Sequence, residues 1–335
     1  MGDRAMRERV DGKLRWGILG CARISRSGLI PGIQKSSRGR LVGLASRDGE
    51  KARSWSAEFG IPKAYDSYEG LLADPEIEAV YIPLPNELHR PWVLAAAEAG
   101  KHVLCEKPLA LDVSEAEAMA AGCRARGLVL MEAFMWRHQV RSAALRERVD
   151  SGAIGRLNLV RASFSFSIDP KDWRLDPARG GGALYDVGCY GVNAARFFTR
   201  SEPVFAQTTR RVGATGVDLT LTTALGFPGG VIGLVDCSFE QPFRCAYELV
   251  GTEGSIEVPD GFLAPERSTA VVRRKGSNAS AGEVEPLSFD EGNQYARMVD
   301  GFVESVEAGR LVDPGEDGVA QMRALELVVK ASRDV

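Results

Sequence analysis

Short apolar runs stand at 14–20, 40–45, 79–82, 102–105 and 128–131, separated by polar or mixed stretches of helical length. Their Val, Ile and Leu content predicts strands buried on both faces. Between them the pattern predicts a helix from Ser25 to about Gln34 and a short one over 69–72. An Ala-rich helix over 90–100 ends on Gly100, and another over 112–126 is closed by Gly127. Strands alternating with helices at this spacing mean βαβ units and a parallel sheet. After about Arg137 the pattern changes. A helix over 142–150 ends at Gly152, and strands follow at 157–168, 204–212, 218–227, 231–240, 244–250 and 255–258. Several alternate polar with apolar, as in Ser163-Phe164-Ser165-Phe166-Ser167, which predicts a mostly antiparallel sheet with one face covered and one open. An open face of that breadth suits a homodimer or homotetramer interface. The polar segment 266–285 reads as a mobile excursion. Helices over 295–308 and about 316–333 close the chain.

Composition narrows the classes. A chain of 335 residues, 44% hydrophobic and 26% charged, suits a globular protein with about two cores. A net charge of −3 offers no basic field for nucleic acid or an anionic membrane. No apolar run approaches the roughly 18 residues that span a bilayer. Six cysteines without a Cys-x-x-Cys pair, and a charged start over 1–13 lacking an apolar leader, point to a reducing, cytoplasmic setting.

Four stretches carry candidate chemistry. In His102-Val103-Leu104-Cys105-Glu106-Lys107-Pro108-Leu109 a buried strand runs into charge, and Pro108 ends the ladder. Carboxyl ends of parallel strands face the ligand crevice, so Lys107 is either placed for chemistry or marks a plain surface strand end. Gly17-Ile18-Leu19-Gly20-Cys21-Ala22 keeps only Gly20 of the dinucleotide fingerprint Gly-x-Gly-x-x-Gly, with Ala22 and Ser25 at the other positions. Such a loop offers amides to a pyrophosphate, or simply packs strand against helix. Ser46-Arg47 follows the second strand where NAD-binding folds carry an acid. A hydroxyl and a guanidinium suit a 2′-phosphate, although Asp48 complicates this. Finally, Gly180-Gly181-Gly182 leads into a helix with Asp186 and Tyr190 at i and i+4, and Asn193 three residues further. That pair is either a proton-transfer couple or a packed tyrosine bonded to an aspartate.

Together, and in this order, these motifs resemble the Gfo/Idh/MocA oxidoreductase family, with Pro85-Asn86-Glu87-Leu88-His89 and Gly181-Gly182-Ala183-Leu184-Tyr185-Asp186-Val187-Gly188-Cys189-Tyr190 completing the match. The resemblance covers nearly the whole chain and is to the tyrosine-type branch of glucose–fructose oxidoreductase, dihydrodiol dehydrogenases, xylose dehydrogenases and sugar ketoreductases. It implies a doubly wound α/β Rossmann domain over 13–135. A second α/β domain over 136–335 would carry an open, mostly antiparallel sheet, with the last helix returning to the first domain. It implies NADP, with NAD as the alternative, held by Gly20, Cys21, Ala22, Arg23, Ile24, Ser46, Arg47, Pro83, Leu84, Asn86, His89, Glu106, Lys107 and Arg137. Catalysis would fall to Lys107, Tyr190 and Asp186. A sugar or cyclic alcohol would meet those three and Trp173, Arg174 and Arg179, which suggest stacking or an anionic group.

In that reading hydride passes between nicotinamide and a CH–OH carbon while Tyr190 exchanges the proton. The Lys107 ammonium would favour its phenolate and Asp186 would keep Lys107 charged. No metal is expected, since His89, His102 and His138 lack ligand spacing. Two rivals stand beside it: a non-catalytic cofactor-bound sensor or partner-binding protein, and thiol chemistry at Cys105 or Cys189.

Overall fold

The computed structural model describes residues 11–276 and 281–335. The charged stretch before Asp11 and part of the polar segment 266–285 therefore lie outside the described residues. Six parallel strands form the first sheet: β1 (Leu14–Leu19), β2 (Gly39–Ala45), β3 (Lys63–Tyr65), β4 (Ala79–Ile82), β5 (His102–Cys105) and β6 (Leu130–Glu132). They lie in the order β3-β2-β1-β4-β5-β6. The connecting helices are α1 (Ile30–Lys35), α2 (Gly49–Phe59), α3 (Tyr68–Ala73), α4 (His89–Glu98) and α5 (Val113–Arg124). Strand order reverses between β1 and β4, and a crevice opens there, outside the carboxyl ends of the strands.

α6 (Val140–Asp150) leads to the second sheet. Its strands are β7 (Leu157–Ser167), β8 (Phe205–Val212), β9 (Asp218–Gly226), β10 (Ile232–Ser238), β11 (Glu240–Gly251), β12 (Gly254–Val258), β13 (Arg267–Lys275), β14 (Ala281–Asp290) and β15 (Ser332–Asp334). The order is β14-β13-β12-β11-β7-β10-β9-β8-β15, antiparallel except where β10 meets β7 and β15 meets β8. α7 (Cys189–Thr199) packs on β7 and β10 and covers the inner face, where Val160, Ala162 and Phe164 are buried. The outer face holds ion pairs of both signs, Arg161–Glu248 and Arg244–Asp236, with Ile232 and Leu234 exposed.

The described part of 266–285 is not an excursion. β13 and β14 are two paired strands at the sheet's edge, with Ser268, Ala270 and Val272 turned inward and arginines outward. Pro286 sits in the edge strand, where a missing amide breaks no inner ladder.

The closing helices are α8 (Gln294–Ala308) and α9 (Gly318–Lys330). Both reach the first sheet's layer: α8 packs on α1, and α9 on α5 and α7. Phe302 of α8 lies 4.8 Å from Trp16 of β1. A Cβ at Gly32 would come within 2.6 Å of the Tyr295 Cβ, so glycine lets α8 approach.

Candidate active site

The crevice at the strand reversal is a cleft of about 390 Å³, lined from the first sheet by Ala22, Arg23, Ile24, Pro83, Leu84, Asn86, Glu106 and Lys107. Trp173, Arg174, the glycines 180–182, Asp186 and Tyr190 line it from the second part of the chain. A larger hollow, about 910 Å³, lies on the outer face of the second sheet and contains none of these residues.

Lys107 follows β5 and precedes Pro108 across a cis peptide. Its ammonium donates to the Asp186 carbonyl at 2.6 Å and to Asp186 Oδ1 at 3.0 Å, leaving one of its three hydrogens for a ligand. The other oxygen, Oδ2, sits 3.0 Å from Arg174 Nε. Burial alone would neutralise both groups, but each outweighs it in the other. Lys107 is therefore raised above the usual ammonium value, and Asp186, with Arg174 adding to the effect, is lowered.

Tyr190 opens α7 just after Leu184–Gly188, a wide π-type turn. Phe134, Phe164 and Phe262 pack around its ring, which is only 5% exposed. Its hydroxyl donates to Met135 Sδ at 3.6 Å, a weak acceptor that a substrate oxygen can replace. The Lys107 ammonium lies 5.1 Å from the centroid of the ring. Burial, followed by Glu106, raises the Tyr190 pKa well above its ordinary value, so the phenol keeps its proton.

The back of α7 is fixed separately. Asn193 donates to Glu316, which also takes Arg137 and Arg196, while Gln321 of α9 donates to the Cys189 carbonyl at 2.9 Å. Asn193 therefore supports α7 from behind the cleft.

Several expected cofactor and substrate contacts turn elsewhere. Arg137 is buried on Glu316 and donates to the Pro314 carbonyl at 2.7 Å. His89 is fully buried, its nitrogens near the carbonyls of Leu84 at 2.8 Å and Pro108 at 3.0 Å, so it joins two cleft loops without facing the cleft. Arg179 is paired with Glu87 at 3.0 Å and does not line the cleft. Gly20 and Cys21 form the bend after β1, with Gly20 at φ 120°, where a Cβ would also press on Leu84 Cδ2 at 2.9 Å. The helix expected from Ser25 begins as a π-type turn, Ser25–Leu29, before the short α1. Ser46 is buried and accepts from the Asp48 amide, whereas Arg47 is exposed at the end of β2. Asp48 caps α2, its Oδ1 accepting from the amides of Glu50 and Lys51 at 3.1 Å.

Met135, Leu263 and Tyr295 also line the cleft. Met135 sits just past β6, at a strand end where a ligand residue could have been sought. Leu263 and Tyr295 come from segments with no local signal. Neither Cys105 nor Cys189 lines the cleft, and burial pushes both thiols up, which removes the thiolate a covalent route needs.

A dinucleotide fits this arrangement. The strand reversal, the bend at Gly20 and the loops after β1, β4 and β5 meet at one crevice, with Arg47 at the neighbouring strand end. Comparison with known proteins agrees. Residues 14–134 match the oxidoreductase family with an NAD-binding Rossmann fold, and 142–257 match the GFO/IDH/MocA C-terminal domain. The chain belongs to the Gfo/Idh/MocA family. It is an NAD(P)-dependent oxidoreductase, of the same tyrosine-bearing kind the motifs resemble. It is 38% identical to D-xylose 1-dehydrogenase (NADP(+)) 2 of Haloferax volcanii, covering 95% of this chain and 97% of that one. KijD10, a 3-ketoreductase from Actinomadura kijaniata solved with NADP and TDP-benzene, superposes with a TM-score of 0.88 at 30% identity, covering 96% and 99%. The aldose-aldose oxidoreductase of Caulobacter crescentus, complexed with glycerol, gives 0.87 at 30% identity over 95% and 97%.

Proposed function

We propose that this protein interconverts the hydroxyl and carbonyl forms of one carbon of a free, uncharged sugar, with NADP as its cofactor. The observation that carries the reading is the pairing of the buried cations in the cleft. Among the described lining residues each cation faces a carboxylate: Lys107 and Arg174 share Asp186, and Arg23 lies 3.6 Å from Asp172. Neither buried lining cation lacks a carboxylate partner, Arg23 alone being largely exposed, which supports a neutral polyol with Trp173 as a stacking wall.

The nicotinamide, when bound, supplies or takes the hydride. Ala22, Arg23, Ile24, Pro83, Leu84, Asn86 and Glu106 would hold it along the strand ends. Tyr190 would give its proton to the carbonyl oxygen in reduction and recover it in oxidation. The free hydrogen of Lys107 would hold the same oxygen, and the ammonium near the ring would stabilise the phenolate that forms. Arg47, with Asp48 drawn into the α2 cap, favours a 2′-phosphate and hence NADP. The bare outer face of the second sheet would pair with a second copy, giving a dimer or tetramer. Six unpaired cysteines suit a reducing cytoplasm, and among the described residues no helix is long and apolar enough to cross a membrane.

The test is turnover with NADP against D-xylose and other aldoses, inositols, dihydrodiols and nucleotide-linked ketosugars, followed at the NADPH absorbance. Activity on free aldoses is expected. Activity confined to nucleotide-linked sugars, which need a site for two phosphates, would overturn the reading. With the substrate identified, Tyr190→Phe should lower turnover roughly 10²–10⁴-fold while the dinucleotide still binds.

A further inference from the structure

Arg174 lines the cleft, yet its charge is directed away from any ligand. Nε lies 3.0 Å from Asp186 Oδ2, an ion pair without hydrogen-bond alignment, and Nη1 donates to Asp172 Oδ1 at 3.2 Å and Oδ2 at 3.3 Å. The guanidinium also lies 5.0 Å from the Trp173 ring centroid. Asp172 caps the short turn Trp173–Leu175, accepting from the Arg174 amide at 3.0 Å, and does not line the cleft. The segment carrying both is tied to the first sheet's loops, since Asn86 Nδ2 donates to the Gly180 carbonyl at 2.8 Å and Arg179 pairs with Glu87.

We propose that Arg174 is a positioning residue: it holds one oxygen of Asp186, fixed in turn by Asp172, so that Lys107 takes only the other. Without Arg174, both carboxylate oxygens would be open to the ammonium. Lys107 would be drawn onto Asp186, turning its third hydrogen from the substrate oxygen. A planar fork fits this task because it can meet two carboxylates at once in fixed directions, whereas a lysine cannot. The inference rests on the proposed roles of Lys107 and Tyr190.

The test separates positioning from substrate contact through Asp172, which lies outside the cleft lining. Arg174→Gln should lower kcat roughly 10- to 100-fold, with KM changed less than about twofold, because misplacing a reacting group by an ångström costs this much. Asp172→Asn keeps the turn cap but removes the charge, and should lower kcat by about tenfold or less, again at nearly constant KM. Arg174→Lys should recover only part of the loss. The double variant should be no slower than Arg174→Gln alone, since the two act through one path. Retained NADP affinity and an unchanged melting temperature exclude misfolding of the segment. An increase in KM at constant kcat for Arg174→Gln would make Arg174 a substrate contact and overturn the proposal. Wild-type turnover in Asp172→Asn, or multiplied losses in the double variant, would overturn it too. If Tyr190→Phe retains turnover, the failure lies in the proposed acid–base roles instead.

Discussion

Arg47 stands exposed at the end of β2 while Asp48 is held in the α2 cap. A guanidinium fork on a phosphate is worth about 1.5–3 kcal/mol, or roughly 10- to 100-fold in affinity. Arg47→Ala should therefore bring NADP affinity down toward that for NAD and leave NAD nearly unchanged, as calorimetry with both dinucleotides would read. Equal affinities in the unaltered protein would speak against a 2′-phosphate site. A second residue governs response to pH. Glu132 is buried, with one oxygen accepting from the Leu109 amide at 2.8 Å and the other without a hydrogen-bond partner. Burial, and then Glu316 beside it, hold its pKa well above the carboxylate range. The fold thus keeps a proton that the unfolded chain releases, and this group's contribution to stability falls as pH rises above the ordinary carboxylate range. Glu132→Gln has no proton to lose. Its melting temperature should gain on the unaltered protein between about pH 5 and pH 8, and a constant difference would refute the assignment. At this scale Lys107, Asp186 and Tyr190 are legible in sequence because short motifs at strand and helix ends carry them to one cleft. Arg137, His89 and Arg179 are not, because what holds each one (Glu316, the loop carbonyls, Glu87) lies outside its own motif.

Among the elements, α7 matters most for the site, and a buried cluster around Glu316 and Gln321 positions it from behind. Arg137 and Arg196 both rest on Glu316, which also takes the Asn193 amide. Glu316→Ala would leave the buried Arg137 guanidinium without its anion, while Arg196 keeps Glu202, a loss of about 3–5 kcal/mol that urea unfolding would measure. A change under about 1 kcal/mol would mean that water reaches the cluster. The strands of the first sheet are legible from their unbroken apolar runs. α2 escapes notice because only Ala52, Trp55 and Ser56 of its residues are buried. β13 and β14 escape for a similar reason: an edge hairpin buries one narrow row and presents arginine and glutamate on the other. β15 is three residues long, and nothing local separates it from the end of α9.

At the scale of the whole molecule, the second sheet presents a broad outer face carrying paired charges of both signs and exposed Ile232 and Leu234. Such a face can meet its own copy about a twofold axis, so light scattering at micromolar concentration should give at least a dimer mass. Leu234→Arg should shift that mass toward the monomer. A monomer in the unaltered protein would refute the pairing. The fold class is legible from the switch in periodicity near residue 137. The return of α8 to the first sheet is not, because an amphipathic helix does not name the surface it covers. That return has a temporal side. Synthesis runs from the amino end, so β1 to β6 leave the ribosome with Trp16, Gly32 and Gly39 still bare where Phe302, Tyr295 and Val299 will later sit. At roughly 5–20 residues per second the interval lasts on the order of ten seconds, far longer than collapse takes. During it the nascent first half must be sheltered by chaperones or by its own provisional packing. A rearranged gene that encodes the α8 segment ahead of β1 would remove that wait.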